Sequence, residues 1–137
     1  MNYWVIKSDP EEYGWPELMK DKKTTWTGVR AYAARNHLRN MKKGDLALFY
    51  HSGGMSSITG IAKITREFFQ DPTTDEEAWV AVELAPVKAL NDEVTLAEIK
   101  KTRELKDMLL LKISRLSVMP VTEAEFNKIL EMGNSSV

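Results

Sequence analysis

Four stretches rich in β-branched and aromatic residues follow one another before position 85: Tyr3–Lys7, Leu46–His51, Ile58–Phe68 and Trp79–Leu84. Such side chains suit a half-buried pleated surface, and their closeness in sequence favours antiparallel or mixed pairing. Leu46–His51 is apolar almost throughout, as a central strand is, whereas Ile58–Phe68 alternates with period two. Trp79–Leu84 is expected to stop at Pro86. Helical signals dominate afterwards. Thr95 with Glu98 and Thr122 with Glu125 spell capping boxes, and an apolar helical stretch runs from Arg103 to Leu111 between them. Strands early and helices late predict an α+β fold. A small twisted, barrel-like sheet with helices packed around it is the economical form.

The intervening segments carry weaker signals. Asp9-Pro10-Glu11-Glu12 reads as a helix start, with Asp9 as cap, Pro10 in the first helical position and Glu12 closing a capping box. A second short helix passes through Leu18 and Met19, and Thr24–Thr27 reads as extended. Val29, Tyr32, Ala33, Leu38 and Met41 form an approximate apolar stripe that predicts a helix from Val29 to Met41, stopped by Gly44. Gly133–Val137 reads as a frayed tail.

A chain of 137 residues has the size of one domain, spanning 1–137. It contains no cysteine. Disulfides, thiolate catalysis and cysteine-type zinc sites are therefore excluded, and a reducing compartment fits. The N-terminus reaches Lys7 and Asp9 too soon to hold a signal-peptide apolar stretch, and no apolar run approaches the ~20 residues of a membrane span. A soluble, cytoplasmic protein is expected. Phosphate-binding, dinucleotide and nucleophile-elbow glycine motifs are all absent. The two histidines, His37 and His51, lack metal-ligand spacing. No catalytic residue, metal or cofactor is assigned.

Net charge is −1, but its distribution is uneven. Residues 1–70 carry 11 Lys/Arg against 7 Asp/Glu, and residues 71–137 carry 8 against 13. Lys20 to Lys43 holds eight bases and one acid. Such a run is either a solvated face or an electrostatic footprint for phosphates, with Lys22, Lys23, Arg30, Arg35 and Arg39 as the contacting residues. Aromatic residues favour the second reading. Tyr3, Trp4 and Phe49 suit a core, but Trp26 sits among Thr24, Thr25, Thr27 and Gly28, between basic segments. A ring with one exposed face fits there, and a nucleobase stacks on such a ring for about 1–3 kcal/mol.

Five blocks, in order, carry a family resemblance: Tyr3 to Pro10, Thr25 to Asn36, Met41 to Ser52, Gly60 to Ala62, and Ser114 to Val121. They resemble the signature segments of the EVE domain. The resemblance implies a PUA-like fold, a small, strongly bent β-barrel with surrounding helices, related to the YTH and ASCH domains. It also implies a pocket for a base extruded from its strand, often a methylated or hydroxymethylated cytosine or a methylated adenine. Carried across, that pocket uses Lys7 and Ser8 after the first strand, with Trp26 and Thr27. Tyr50, His51 and Ser52 contribute from a central strand, and Ser114, Arg115, Leu116 and Ser117 close one side. The family's usual Asp after the tryptophan is Thr27 here, and its usual Asn before the tyrosine is Ala31, which removes one hydrogen-bonding group at each place. The expected partner is DNA or RNA, bound by a monomer with no membrane, metal or cofactor. The alternative is an ASCH-like enzyme acting on a nucleoside or small metabolite, with His51 and Lys7 transferring protons; a third reading is a partner-binding adaptor.

Overall fold

The computed structural model describes residues 1–9 and 11–137, so the expected helix-opening Pro10 lies outside them. Strand β1 (Tyr3–Ser8) leads to α1 (Trp15–Asp21), β2 (Thr24–Trp26) and α2 (Tyr32–Asn40). The long strands follow: β3 (Leu46–His51), β4 (Ser57–Gln70) and β5 (Val80–Thr95). The chain closes with α3 (Leu96–Lys101), a 3₁₀ turn at Arg103–Leu105, α4 (Leu109–Lys112), β6 (Val118–Val121) and α5 (Glu123–Met132).

The strands form one mixed sheet in the order β2-β5-β4-β3-β1-β6. Among the described residues only β1 and β3 run parallel, and the crossover that a parallel pair requires is supplied by α1, β2 and α2. Among the described residues β2 and β6 each pair on one side alone, so the α+β expectation holds but the sheet is open rather than a closed barrel. The edge strands have three and four residues, and β6 contains Pro120; neither offers a ladder long enough to seal the ring. The β4–β5 ladder instead changes register at four places. Each bulge bends and twists the pair. Pro86 sits opposite Ala62 at one of these shifts, which is why β5 continues to Thr95 instead of ending there.

Local signals were read unevenly. Both capping boxes form, with Thr95 and Thr122 accepting from the backbone N–H of Glu98 and Glu125. The expected helix after Asp9 is a turn: the Asp9 carboxylate accepts the Glu11 N–H at 2.9 Å, and its carbonyl accepts those of Glu12 and Tyr13. Helix α2 begins at Tyr32, not Val29, because Gly28 adopts a left-handed φ of 81° and Ala31 is extended. The later start rotates the stripe. Ala34 and Leu38 are buried, while Tyr32 is 67% exposed. The C-terminal tail is tied to β5 where Asn91 N–H donates to Ser135 Oγ (2.8 Å) and Asp92 N–H to the Gly133 carbonyl (3.0 Å).

Beneath the sheet lies one hydrophobic cluster that includes Trp4, Leu48, Phe49, Ile61, Leu84 and Phe126. Asp45 is buried beside it and accepts from Trp4 Nε1 (3.0 Å), Lys42 N–H (2.9 Å) and Asn2 N–H (3.1 Å), which pins the start of β1 to the turn before β3. The Trp15 indole lies flat on Gly60 of β4, where a Cβ would stand 2.5 Å from ring carbons. Trp15 is enclosed and cannot step aside. Gly60→Val is therefore expected to destabilise the fold by about 2–3 kcal/mol through overpacking, lowering Tm by roughly 8 °C. A thermal melt indistinguishable from that of the unaltered protein would contradict this packing.

Candidate functional site

A cavity of about 550 Å³ opens at the carboxyl end of β1, walled by β2 and the loop that follows it. Its volume falls in the range of small-ligand sites. Trp26, half-buried, forms one wall. The indole is held edge-on to Tyr13 (ring centroids 6.2 Å apart, 79°) and to Phe49 (5.8 Å, 81°), and Phe49 packs in turn on Trp15 (5.4 Å). These perpendicular contacts fix the ring from the core outward, so little ordering cost remains when a flat ligand stacks on it. Tyr13 supplies the second aromatic surface of the cavity. Its hydroxyl donates to Asp21 Oδ2 at 2.9 Å. Burial, with the Asp21 carboxylate adding to it, pushes the Tyr13 phenol above its ordinary range.

Lys7 and Ser8 border the opposite side. Lys7 Nζ donates to the Ser114 carbonyl at 2.7 Å and stands 5.7 Å over the Tyr50 ring. Burial lowers the ammonium from its ordinary value. The Ser8 hydroxyl donates to the Tyr13 carbonyl, joining the two walls. Thr24, Thr25 and Thr27 add hydroxyls, and Asp9 and Glu12 bring carboxylates.

Of the residues expected to make the pocket, Lys7, Ser8, Trp26, Thr27 and Ser117 come together in this cavity, joined by Arg30. The others do not line it. Tyr50 is buried beneath Lys7, being part of the central strand. His51 and Ser52 line a neighbouring cavity of about 400 Å³ with Asp9, Glu11 and Gly53–Met55. They end the β1–β3 ladder, in which Ser8 pairs with His51 and the Ser52 N–H and hydroxyl both donate to the Ser8 carbonyl. Lys7 lines the first cavity and His51 the second, and Asp9 borders both. Ser114 acts through its carbonyl, Arg115 is exposed away from the cavity, and Leu116 belongs to the core. His37 is half-buried, 6.2 Å from the Trp4 ring, and burial lowers its imidazole. Among the described residues, no group of three or more His, Asp or Glu is placed to hold a metal ion, and no helix is long and apolar enough to cross a membrane.

The basic residues divide similarly. Lys22, in a left-handed conformation at the end of α1, and Lys23 are exposed outside the cavity, and Arg35 and Arg39 on α2, both half-buried, do not line it either. Arg30 alone reaches its rim, where Nη1 donates to Asp71 Oδ2 at 3.0 Å. Asp71 is fully buried and also accepts from Gly28 N–H (2.8 Å), Thr73 N–H (2.7 Å) and the Thr73 hydroxyl (2.6 Å). Burial pushes this carboxyl up, but the Thr73, Gly28 and Arg30 donors outweigh it and hold it at about 2. Asp71 therefore clamps the segment that positions Trp26. Sequence reading missed it because the partners lie some forty positions apart. Asp9, Glu12 and Tyr13 were missed because their first segment reads as a helix start.

Residues 2–132 match the family model described as the EVE domain. The mouse protein named Thymocyte nuclear protein 1 is 34% identical, over 96% of this chain and 73% of its own length. A crystal structure of human THYN1 in complex with DNA containing 5-methylcytosine superposes with a TM-score of 0.91 at 31% identity, covering 100% of both chains. The YTH domain of Zygosaccharomyces rouxii MRB1, solved with N6-methyladenosine RNA, reaches a TM-score of 0.63 at 16% identity, over 99% of this chain and 88% of that one. At that identity the likeness concerns the fold alone.

Proposed function

The chain belongs to the EVE domain family, and from that membership we propose that it is a nucleic-acid-binding module, receiving one extruded, modified base in the cavity beside Trp26. One observation carries the reading: a cavity of about 550 Å³ with a prefixed, half-exposed indole as its wall and carboxylates at its edge. The indole stacks the base, and methylation enlarges the stacked area. Asp9 and Glu12 accept hydrogen bonds from an exocyclic amino group, which favours cytosine or adenine over thymine or uracil. The human THYN1 complex with 5-methylcytosine DNA, matched over the whole chain, supports a methylated cytosine as the first ligand to try. The fold is read as PUA-like, with the four register shifts of β4 and β5 bending the open sheet about the core. Binding without turnover is the expected activity.

Titration of short DNA and RNA oligonucleotides, with and without 5-methylcytosine or N6-methyladenine, tests the reading. Binding is expected to prefer a modified base and to weaken with salt, with a slope of log K on log salt of about −1.5 to −2 for two or three phosphate contacts to a single strand. Equal binding of modified and unmodified strands, or none at low salt, would overturn it.

A further inference from the structure

The cavity does not end at a polar rim. Ala31 lines it, and the next residue, Tyr32, opens α2 with its ring 67% exposed. The Tyr32 ring packs on that of Trp79, 5.3 Å away and tilted by 34°. Trp79 Nε1 donates to Glu76 Oε2 at 2.8 Å, which fixes the indole. Guanidinium groups flank the pair: that of Arg35 lies 4.9 Å from the Tyr32 ring and 5.7 Å from Trp79, and that of Arg30 lies 5.7 Å from Trp79. Arg30 therefore touches both the cavity and this second aromatic surface. Helical spacing places Tyr32, Arg35 and Arg39 on one face of α2, a row about 10 Å long. At its far end Arg39 stands 5.9 Å over Phe68, itself 47% exposed, and Arg39 Nε is a buried donor without a partner. Among the described residues, Arg35 and Arg39 make no salt bridge with a carboxylate.

We infer that this surface is a second nucleotide site, a stacking platform for the unpaired base next to the one held in the cavity. The inference rests on the proposed function and extends it. An exposed ring backed by another aromatic offers a rigid π-face, and Arg35, whose guanidinium meets the Asn36 amide oxygen but no carboxylate, joins Arg39 in holding the phosphates beside it. Bases within a duplex present their edges rather than their faces, so the partner at this surface is a single-stranded flank of DNA or RNA. A protein partner fits less well. The row alternates rings with uncompensated positive charge, and the deep apolar pocket typical of a binding hot spot is missing from it. The strand runs from the cavity, past Arg30, onto Tyr32 and along α2.

The test compares the modified nucleoside monophosphate, which has no neighbouring base, with a single-stranded nonamer carrying the same base, each in deoxyribose and ribose form, by competition in fluorescence polarisation. The unaltered protein is expected to bind the nonamer about tenfold more tightly, the gain of roughly one stacked base. Tyr32→Ala should abolish that gain and leave mononucleotide affinity unchanged. Tyr32→Phe should preserve both. Because Tyr32 is two-thirds exposed, a thermal melt should show Tyr32→Ala folded. A nonamer advantage that survives Tyr32→Ala would overturn the platform while sparing the cavity. Failure of both ligands to bind the unaltered protein would overturn the two together. Loss of a bound protein partner with nonamer binding intact would reassign the surface to protein recognition.

Discussion

Trp26→Ala is expected to weaken binding of a modified-base oligonucleotide by about 10- to 100-fold, the worth of one aromatic stack. The prediction follows from the ring's position between two environments. Inward, it meets Phe49 and Tyr13 edge-on; outward, it forms the cavity wall. Truncation removes the face on which the base lies and also loosens Tyr13, the second aromatic wall. Some stability is lost as well, about 1–3 kcal/mol, since the ring is only partly buried. Trp26→Phe separates the two effects. It retains a π-face and most of the contact with Phe49, so affinity should fall by no more than about fivefold. Titration by fluorescence polarisation, with melts of both variants, checks this. Unchanged affinity in a folded Trp26→Ala variant would remove Trp26 from the site and with it the reading of the cavity.

How far this was legible in sequence depends on distance along the chain. Features set within a few residues were readable. The capping boxes at Thr95 and Thr122, the central strand Leu46–His51 and the polar setting of Trp26 each declare themselves locally. Features set by two remote segments were not. Pro86 looks like a strand end until Ala62 is seen opposite it at a bulge. Tyr32 looks like a core residue until Gly28 and Ala31 delay the helix and turn the ring outward. His51 and Ser52 follow Tyr50 directly, yet they line a neighbouring cavity that meets the first at Asp9. The resemblance to a family named stretches of the chain from which Lys7, Ser8, Trp26, Thr27 and Ser117 share one cavity, but which side chains meet in one volume is a matter of tertiary packing.

Asp71→Asn is the second large effect, expected on stability and on the site at once. The carboxylate is enclosed with four donors, two of them backbone N–H groups, and the partnered Arg30 side chain is 41% exposed. An amide retains one acceptor but turns an N–H₂ toward groups that are themselves donors. The cost should be about 2–4 kcal/mol, below the upper range for broken buried pairs because Arg30 can reach water. The pH dependence distinguishes this from simple loss of packing. The folded carboxyl sits at about 2, against an ordinary value of 3.8. A depressed carboxylate contributes stability that is present above its unfolded value and lost as pH falls through the folded one. The unaltered protein should therefore lose about 2 kcal/mol from this group between roughly pH 4 and pH 2. The variant lacks this component, so the stability gap between the two proteins should narrow as the solution is acidified. Denaturant unfolding at several pH values measures the gap. A gap that stays constant down to pH 2 would mean that Asp71 is not held ionised by these donors. Because Gly28 N–H is one of them, the same substitution frees the segment after Trp26. Affinity for the modified strand should fall with it, although Asp71 itself never touches the base.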